Sequence, residues 1–262
     1  KYDKCDLSDW TNMLSRVKNR DKTVKIALVG KYTKLHDAYL SVVEALSHAG
    51  YENSAIIDIK WVDAETVNKD TVDSLLKDCQ GILVPGGFGD RGIEGMVCAA
   101  NYARVNNIPY LGVCLGMQIA VIEYARNVLN MENSTEFDLE TKYPVIALMP
   151  DQFGNIMGGT MRLGAYPCKV KEKTMLHKCY GDLNISERHR HRYEFNNDFR
   201  EQMIENGLTI AGTSPDGKLV EAVEVEKNKF HVGVQYHPEF KSRPNRANPI
   251  FKGFINAAVN ML

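Results

Sequence analysis

The sequence predicts an α/β fold: an open, mostly parallel or mixed central sheet flanked by helices, with a nucleophile elbow at the carboxyl end of one strand. Three observations carry that expectation. From Val24 to Leu129, strand-like apolar runs alternate with segments of helical periodicity, the pattern of a parallel sheet joined by crossover helices. Two of those runs, Gly81 to Val84 and Tyr110 to Val113, are short and continuously apolar, as in strands covered on both faces. Each leads directly into glycine-rich punctuation, PGGFG at 85–89 and CLG at 114–116.

In chain order, Leu7, Trp10, Met13, Leu14 and Val17 recur at helical spacing within an otherwise polar stretch, 1–22. They predict one short amphipathic helix, either a tether or docking helix or one that packs on its own domain. A strand follows at Val24 to Val29, then a helix from about Asp37 to His48 with Gly50 as its left-handed cap. Ala55 to Val62 reads as a strand, 71–79 as a helix, 92–106 as a helix, and Leu115 to Leu129 as the helix leaving the strand at 110–113. After Tyr143 the texture changes to shorter strands near 162–171, 208–213, 219–225 and 230–235, and a helix near 247–261 closes the chain. Ligands of open sheets bind beyond the carboxyl ends of the strands, which directs attention to the loops at Pro85 and Cys114. No internal repeat or Pro/Gly-rich linker divides 23–262, so one domain is expected there.

The chain has 262 residues, 44% hydrophobic and 25% charged, enough to build a core without disulfides or metals. With 32 basic and 33 acidic side chains there is no global positive field to draw it to nucleic acid or anionic lipid. Its apolar runs are far short of the ~20 residues that cross a bilayer, so no membrane association is expected. The N-terminal residues lack a signal-peptide apolar core, and the six cysteines form no CxxC pair. That usage suits the reduced thiols of the cytoplasm. Histidines 36, 48, 177, 189, 191, 231 and 237 form no compact ligand set, so no metal site is expected.

Gly112-Val113-Cys114-Leu115-Gly116 has the G-x-nucleophile-x-G form of a strand-to-helix elbow. The helix beginning beside Cys114 would aim its amides and dipole at the sulfur and favour thiolate. Taken alone, the motif fits a buried structural thiol equally well. The other five cysteines, Cys5, Cys79, Cys98, Cys168 and Cys179, have no such setting.

A cysteine nucleophile needs a proton carrier. Gln235-Tyr236-His237-Pro238-Glu239-Phe240 follows a strand and offers a histidine with a carboxylate two residues on, able to hold the ring in one tautomer. A surface histidine in a turn is the competing reading of that stretch alone. The third element is PGGFG at 85–89, whose amides suit an oxyanion hole, Gly87 from this loop and Leu115 beside the nucleophile. A phosphate-gripping loop is disfavoured: no GK[ST] follows PGGFG, and Gly30-Lys31 is followed by Tyr32.

PGGFG, GVCLGMQ and QYHPEF in that order resemble the glutaminase domain of class I glutamine amidotransferases, from about residue 23 to the end. DRGIEGM at 90–96, MENSTEF at 131–137, MGGTMRLGA at 157–165 and ERHRHRYEFN at 187–196 are similar to one branch of that family in particular. The resemblance implies a Cys114, His237, Glu239 triad that hydrolyses L-glutamine to glutamate and ammonia through a thioester. It assigns the glutamine site to Gly87, Phe88, Leu115, Gln118, Glu136 and Arg192, with Arg192 for the carboxylate and Glu136 toward the ammonium. A guanidinium suits a carboxylate through its planar fork.

In that branch the ammonia serves a separate synthetase domain that uses ATP and magnesium to aminate UTP, and GTP activates glutamine hydrolysis. The resemblance therefore implies a synthetase half preceding residue 1, residues 1–22 as the linker from it, and a homotetramer at full length. Arg91, Glu94 and Arg162 are expected on a GTP-responsive surface. No cofactor is expected in the glutaminase part itself.

The run Arg188-His189-Arg190-His191-Arg192 also admits a nucleic-acid reading, which the balanced charge and the flanking Glu187 and Glu194 oppose. For Arg188, Arg190 and both histidines the alternative is a solvated or internally paired loop. Two further functional readings stay open: a γ-glutamyl hydrolase or related cysteine peptidase, and a non-catalytic regulatory module with a vestigial triad.

Overall fold

The computed structural model describes residues 5–132, 141–149 and 161–262. Among them a nine-stranded sheet runs through the molecule in the order β2-β1-β3-β4-β11-β10-β9-β6-β7. Its parallel half is β1 (Lys22–Gly30), β2 (Ala55–Asp63), β3 (Gly81–Val84), β4 (Tyr110–Val113) and β11 (His231–Val234). Its antiparallel half is β6 (Arg162–Val170), β7 (Asn184–His191), β9 (Leu208–Thr213) and β10 (Val220–Val225). A separate two-stranded antiparallel sheet pairs β5 (Ile146–Leu148) with β8 (Tyr193–Phe195).

The parallel strands alternate their side chains between two apolar layers, as the two-residue period requires. Ala27, Val29, Ile82 and Val84 face α3 (Val72–Leu76), α4 (Ile93–Val105) and α5 (Leu115–Asn127). Ile26, Leu28 and Leu83 face α2 (Leu40–Glu52), α6 (Met175–Tyr180) and α8 (Pro249–Val259). The remaining helices are α1 (Ser8–Lys18), which lies beside α2, and α7 (Arg200–Glu205), against β9. Of the apolar residues that predict α1, Met13 is buried while Leu7, Trp10 and Leu14 are exposed.

Three local expectations need correction. The helix after β1 opens with a 3₁₀ turn, His36–Tyr39, and runs through Gly50 to Glu52. Gly50 is therefore no cap: it is where the helix touches β2, since a β-carbon there would lie 2.8 Å from the Ala55 carbonyl oxygen. The left-handed residue that ends the connection is Ser54, at φ 51°. The 187–191 segment is not a charged loop but most of β7. Its burial alternates strictly, with Glu187, His189 and His191 inside and Arg188 and Arg190 outside. Charge density hides this period-two pattern, because three of its inward positions are ionisable. The helices α6 and α7 and the strands β5 and β8 are also without a sequence signal, each being six residues or shorter.

The candidate active site

Strands β3, β4 and β11 are neighbours in register, with Val84 opposite Gly112 and Val113 opposite Val234. Their carboxyl ends therefore bring PGGFG, Cys114 and His237 together, although 123 positions separate the last two. Cys114 sits at φ 52° and ψ −101°, a conformation that costs energy for a side chain with a β-carbon and persists only where the surroundings impose it. Its amide donates to the Val234 carbonyl at 2.7 Å, and its own carbonyl accepts from Met117 and Gln118 in the first turn of α5. The flanking glycines are sterically required: a β-carbon would lie 2.3 Å from the Gly116 oxygen at Gly112, and 2.1 Å from the Val84 oxygen at Gly116. The elbow thus packs backbone on backbone, and the sulfur is raised at the sheet's edge.

His237 leaves β11 and opens a 3₁₀ turn, Pro238–Lys241. Its Nδ1 lies 2.7 Å from Glu239 Oε1, which leaves Nε2 for the sulfur. Burial alone would lower the ring's pKa; hydrogen bonds to Cys114 and Glu239 outweigh it and raise the value to about 10. The imidazole is therefore cationic at neutral pH. Gly86 packs against both groups, its missing β-carbon position being 2.8 Å from His237 Cε1 and 3.5 Å from Cys114 Cβ. A cavity of about 200 Å³ opens here, with Gly87, Phe88, Cys114, His237 and Glu239 in its wall.

The glutamine amidotransferase class-I family model matches residues 34–257. The chain belongs to the class I glutamine amidotransferase family. Two curated relatives, CTP synthases of Clostridium kluyveri and Clostridium beijerinckii, are 57% identical over 258 residues and 59% identical over 257. Each alignment covers 97% of this chain and 48% of the relative, so the chain spans about half the length of the curated relatives it matches. A solved structure, the Trypanosoma brucei CTPS glutaminase domain with bound acivicin, is 41% identical with a TM-score of 0.85, covering 90% of this chain and 94% of that one. The amidotransferase domain matched is thus the glutaminase domain of CTP synthases.

Within this amidotransferase domain the other expected site residues distribute unevenly. Leu115 supplies the first amide of α5, a position without an intrahelical acceptor, and its Cδ2 lies 3.4 Å from where a Gly87 β-carbon would be. Gln118 is buried and one step removed from the sulfur: its Nε2 donates to the Tyr193 carbonyl and to Gln235 Oε1, both at 3.1 Å. Gln235 in turn places Nε2 3.7 Å from Cys114 Sγ. Arg192 is half-buried between β7 and β8 and is not in the wall of this cavity. Glu136 lies outside the described residues.

Of the residues expected on an activator surface, Arg91 and Glu94 are exposed and paired, with Glu65 and Arg126 respectively, each at 2.8 Å. Arg162 is half-buried, paired with Glu221 at 2.6 Å and with its guanidinium over the Tyr166 ring.

The structure adds three residues. Lys31 is 3% exposed, and its ammonium donates to the Phe88 carbonyl at 3.2 Å and to that of Gly89, clamping the PGGFG loop from the end of β1. Arg190, expected in a loop, lines the cavity with its guanidinium 5.6 Å from the centre of the Phe88 ring. Tyr39 holds the Lys31 amide through its hydroxyl at 3.0 Å. Nothing in the spacing of these residues distinguishes them from surface positions; only the register of β1 and β7 does. Burial pushes the thiols of Cys79, Cys168 and Cys179 up to about 12, so these stay protonated. Among the described residues no group of histidine, cysteine and acidic side chains could hold a metal ion, and no helix is long and apolar enough to cross a membrane.

Proposed function

We propose that the chain hydrolyses the side-chain amide of L-glutamine and delivers the ammonia to a synthetase half that aminates UTP to CTP. The observation that supports it most is the line Glu239–His237–Cys114 at the mouth of a cavity, with the ring charged beside the sulfur. Cys114 attacks the amide carbon, and the amides of Gly87 and Leu115 receive the oxyanion. His237 gives its proton to the departing nitrogen, the C–N bond breaks, and ammonia leaves a thioester on Cys114. The now neutral ring takes a proton from water, which attacks the thioester to release glutamate and restore the thiolate beside the charged ring. Glu239 accepts the Nδ1 hydrogen and orients the ring.

Arg192 and Glu136 are assigned to the two charged ends of glutamine, and Gln118 to the support of the pocket. Residues 1–22 are assigned to the linker and 23–262 to the glutaminase domain. ATP, magnesium and UTP belong to the synthetase half, GTP to activation through the surface of Arg91, Glu94 and Arg162, and the assembly is a cytoplasmic homotetramer. The test is glutamate release by the enzyme joined to its synthetase half, with GTP present. Cys114→Ser should lower turnover at least about 10⁴-fold without changing the unfolding midpoint. Turnover that survives this change would reject the mechanism.

A further inference from the structure

The inward face of β7 carries two histidines that the proposed reaction does not use. His191 Nδ1 lies 2.9 Å from the Tyr193 carbonyl oxygen. A carbonyl only accepts, so Nδ1 bears the hydrogen and Nε2 of the neutral ring is an acceptor. That Nε2 is 3.0 Å from His189 Nδ1, which must then be the donor. The tautomers of both rings are therefore fixed by one backbone oxygen, in a chain running His189 to His191 to Tyr193.

The free edge of the same strand touches the reacting groups. The Arg188 carbonyl accepts from the His237 amide at 2.7 Å. The Arg190 carbonyl oxygen lies 3.8 Å from Cys114 Sγ. Among the described residues β7 is the last strand of the sheet, with β6 its one strand neighbour, so its pleat depends on what its inward side chains bind.

We propose that His189 and His191 are positioning residues, a pair of neutral rings that fixes β7 so that its carbonyls hold Cys114 and His237 in attack geometry. This deepens the glutaminase reading and rests on it. The groups facing the pair are Arg162 and Tyr166 from β6, Glu221 from β10, and Tyr236 and His237 beyond β11. Glu221 Oε2 approaches His189 Nδ1 to only 3.6 Å, and Oε1 is engaged by Arg162, so the carboxylate does not displace His191 as acceptor. Burial and the Arg162 charge lower His189 to about 2; burial, the largest influence, lowers His191 to about 4 despite its bond to the Tyr193 carbonyl. Both rings stay neutral through the physiological range.

The test compares His191→Leu, His191→Asn and His191→Gln in the enzyme joined to its synthetase half. Asn places an amide where Nδ1 was and keeps the bond to Tyr193; Gln places one where Nε2 was and keeps the bond to His189. Leu should lower kcat for glutamate release about tenfold to a hundredfold, with KM for glutamine within about twofold. Alkylation of Cys114 by iodoacetamide should slow in step, and Asn and Gln should each recover part of both rates. Should the Leu protein fail to fold, Asn and Gln against the parent decide alone.

The proposal is overturned if these variants keep parental rates, or if rates follow the melting temperature whichever atom is restored. If the parent itself releases no glutamate, the glutaminase reading fails. The alkylation rates still decide the positioning role.

Discussion

The histidine in the turn after β11 and the two histidines of β7 are driven in opposite directions. The loop after β11 raises His237 to about 10, while the inner face of β7 holds His189 near 2 and His191 near 4. Both settings are largely dehydrated, so burial is not what separates them. His237 has a carboxylate at 2.7 Å and a thiol as partners, whereas the β7 pair bonds to each other and to a carbonyl beside a guanidinium. One region supplies a charge that can be given away as a proton; the other supplies fixed direction. Partner identity decides which.

Glu239→Gln tests the charged side most severely. It keeps the shape but removes the carboxylate, so the His237 pKa should fall, and the amide can now present a donor to Nδ1 and select the wrong tautomer. Turnover should drop about 10³-fold, and the pKa of the ring, read by NMR titration, should move toward or below its ordinary value. A ring that still titrated near 10 would show that the thiol alone sustains the charge. Its stability linkage has a definite sign: a raised folded pKa contributes stability present below about pH 6.5 and lost as the pH climbs through about 10.

Gly86→Ala separates position from charge. The new methyl meets His237 Cε1 at 2.8 Å, so the ring must shift while Glu239 is untouched. Displacement of about half an ångström or more should cost roughly 10²-fold in kcat, with the unfolding midpoint little changed. Equal activity would mean that the ring has slack, and that the close contact is packing only.

How much of this was legible in the sequence follows from the same contrast. Gly112, Cys114, Gly116, His237 and Glu239 announce themselves because an elbow and a strand-end base require those residue types at fixed local offsets. The parallel half of the sheet was legible for a related reason, since β3 and β4 are uniformly apolar and glycine follows each. β7 was not. Its inward positions are Glu187, His189 and His191, which read as polar, and their burial is made tolerable by Tyr180 and Tyr193 near in sequence and by Asn248 and Glu221 far from it. Lys31 escaped notice likewise: its ammonium is satisfied by carbonyls 57 and 58 positions away.

His231 carries the contrast to its limit. It stacks on Tyr110 at 4.6 Å, and neither ring nitrogen has a hydrogen-bond partner among the described residues. Burial and the Arg104 charge lower it to about 3. The folded state therefore refuses a proton that the unfolded chain accepts below about pH 6.5. The stability present above that pH declines as the pH falls toward 3, in parallel with His191 and His189. Replacing His231 by Phe keeps the stack and removes two unsatisfied polar atoms, so the protein should gain about 1 kcal/mol at pH 7. The gain should widen at pH 5, where the parent alone bears this penalty. Urea unfolding at the two values measures it, and a gain independent of pH would mean that the ring is not held neutral by its surroundings.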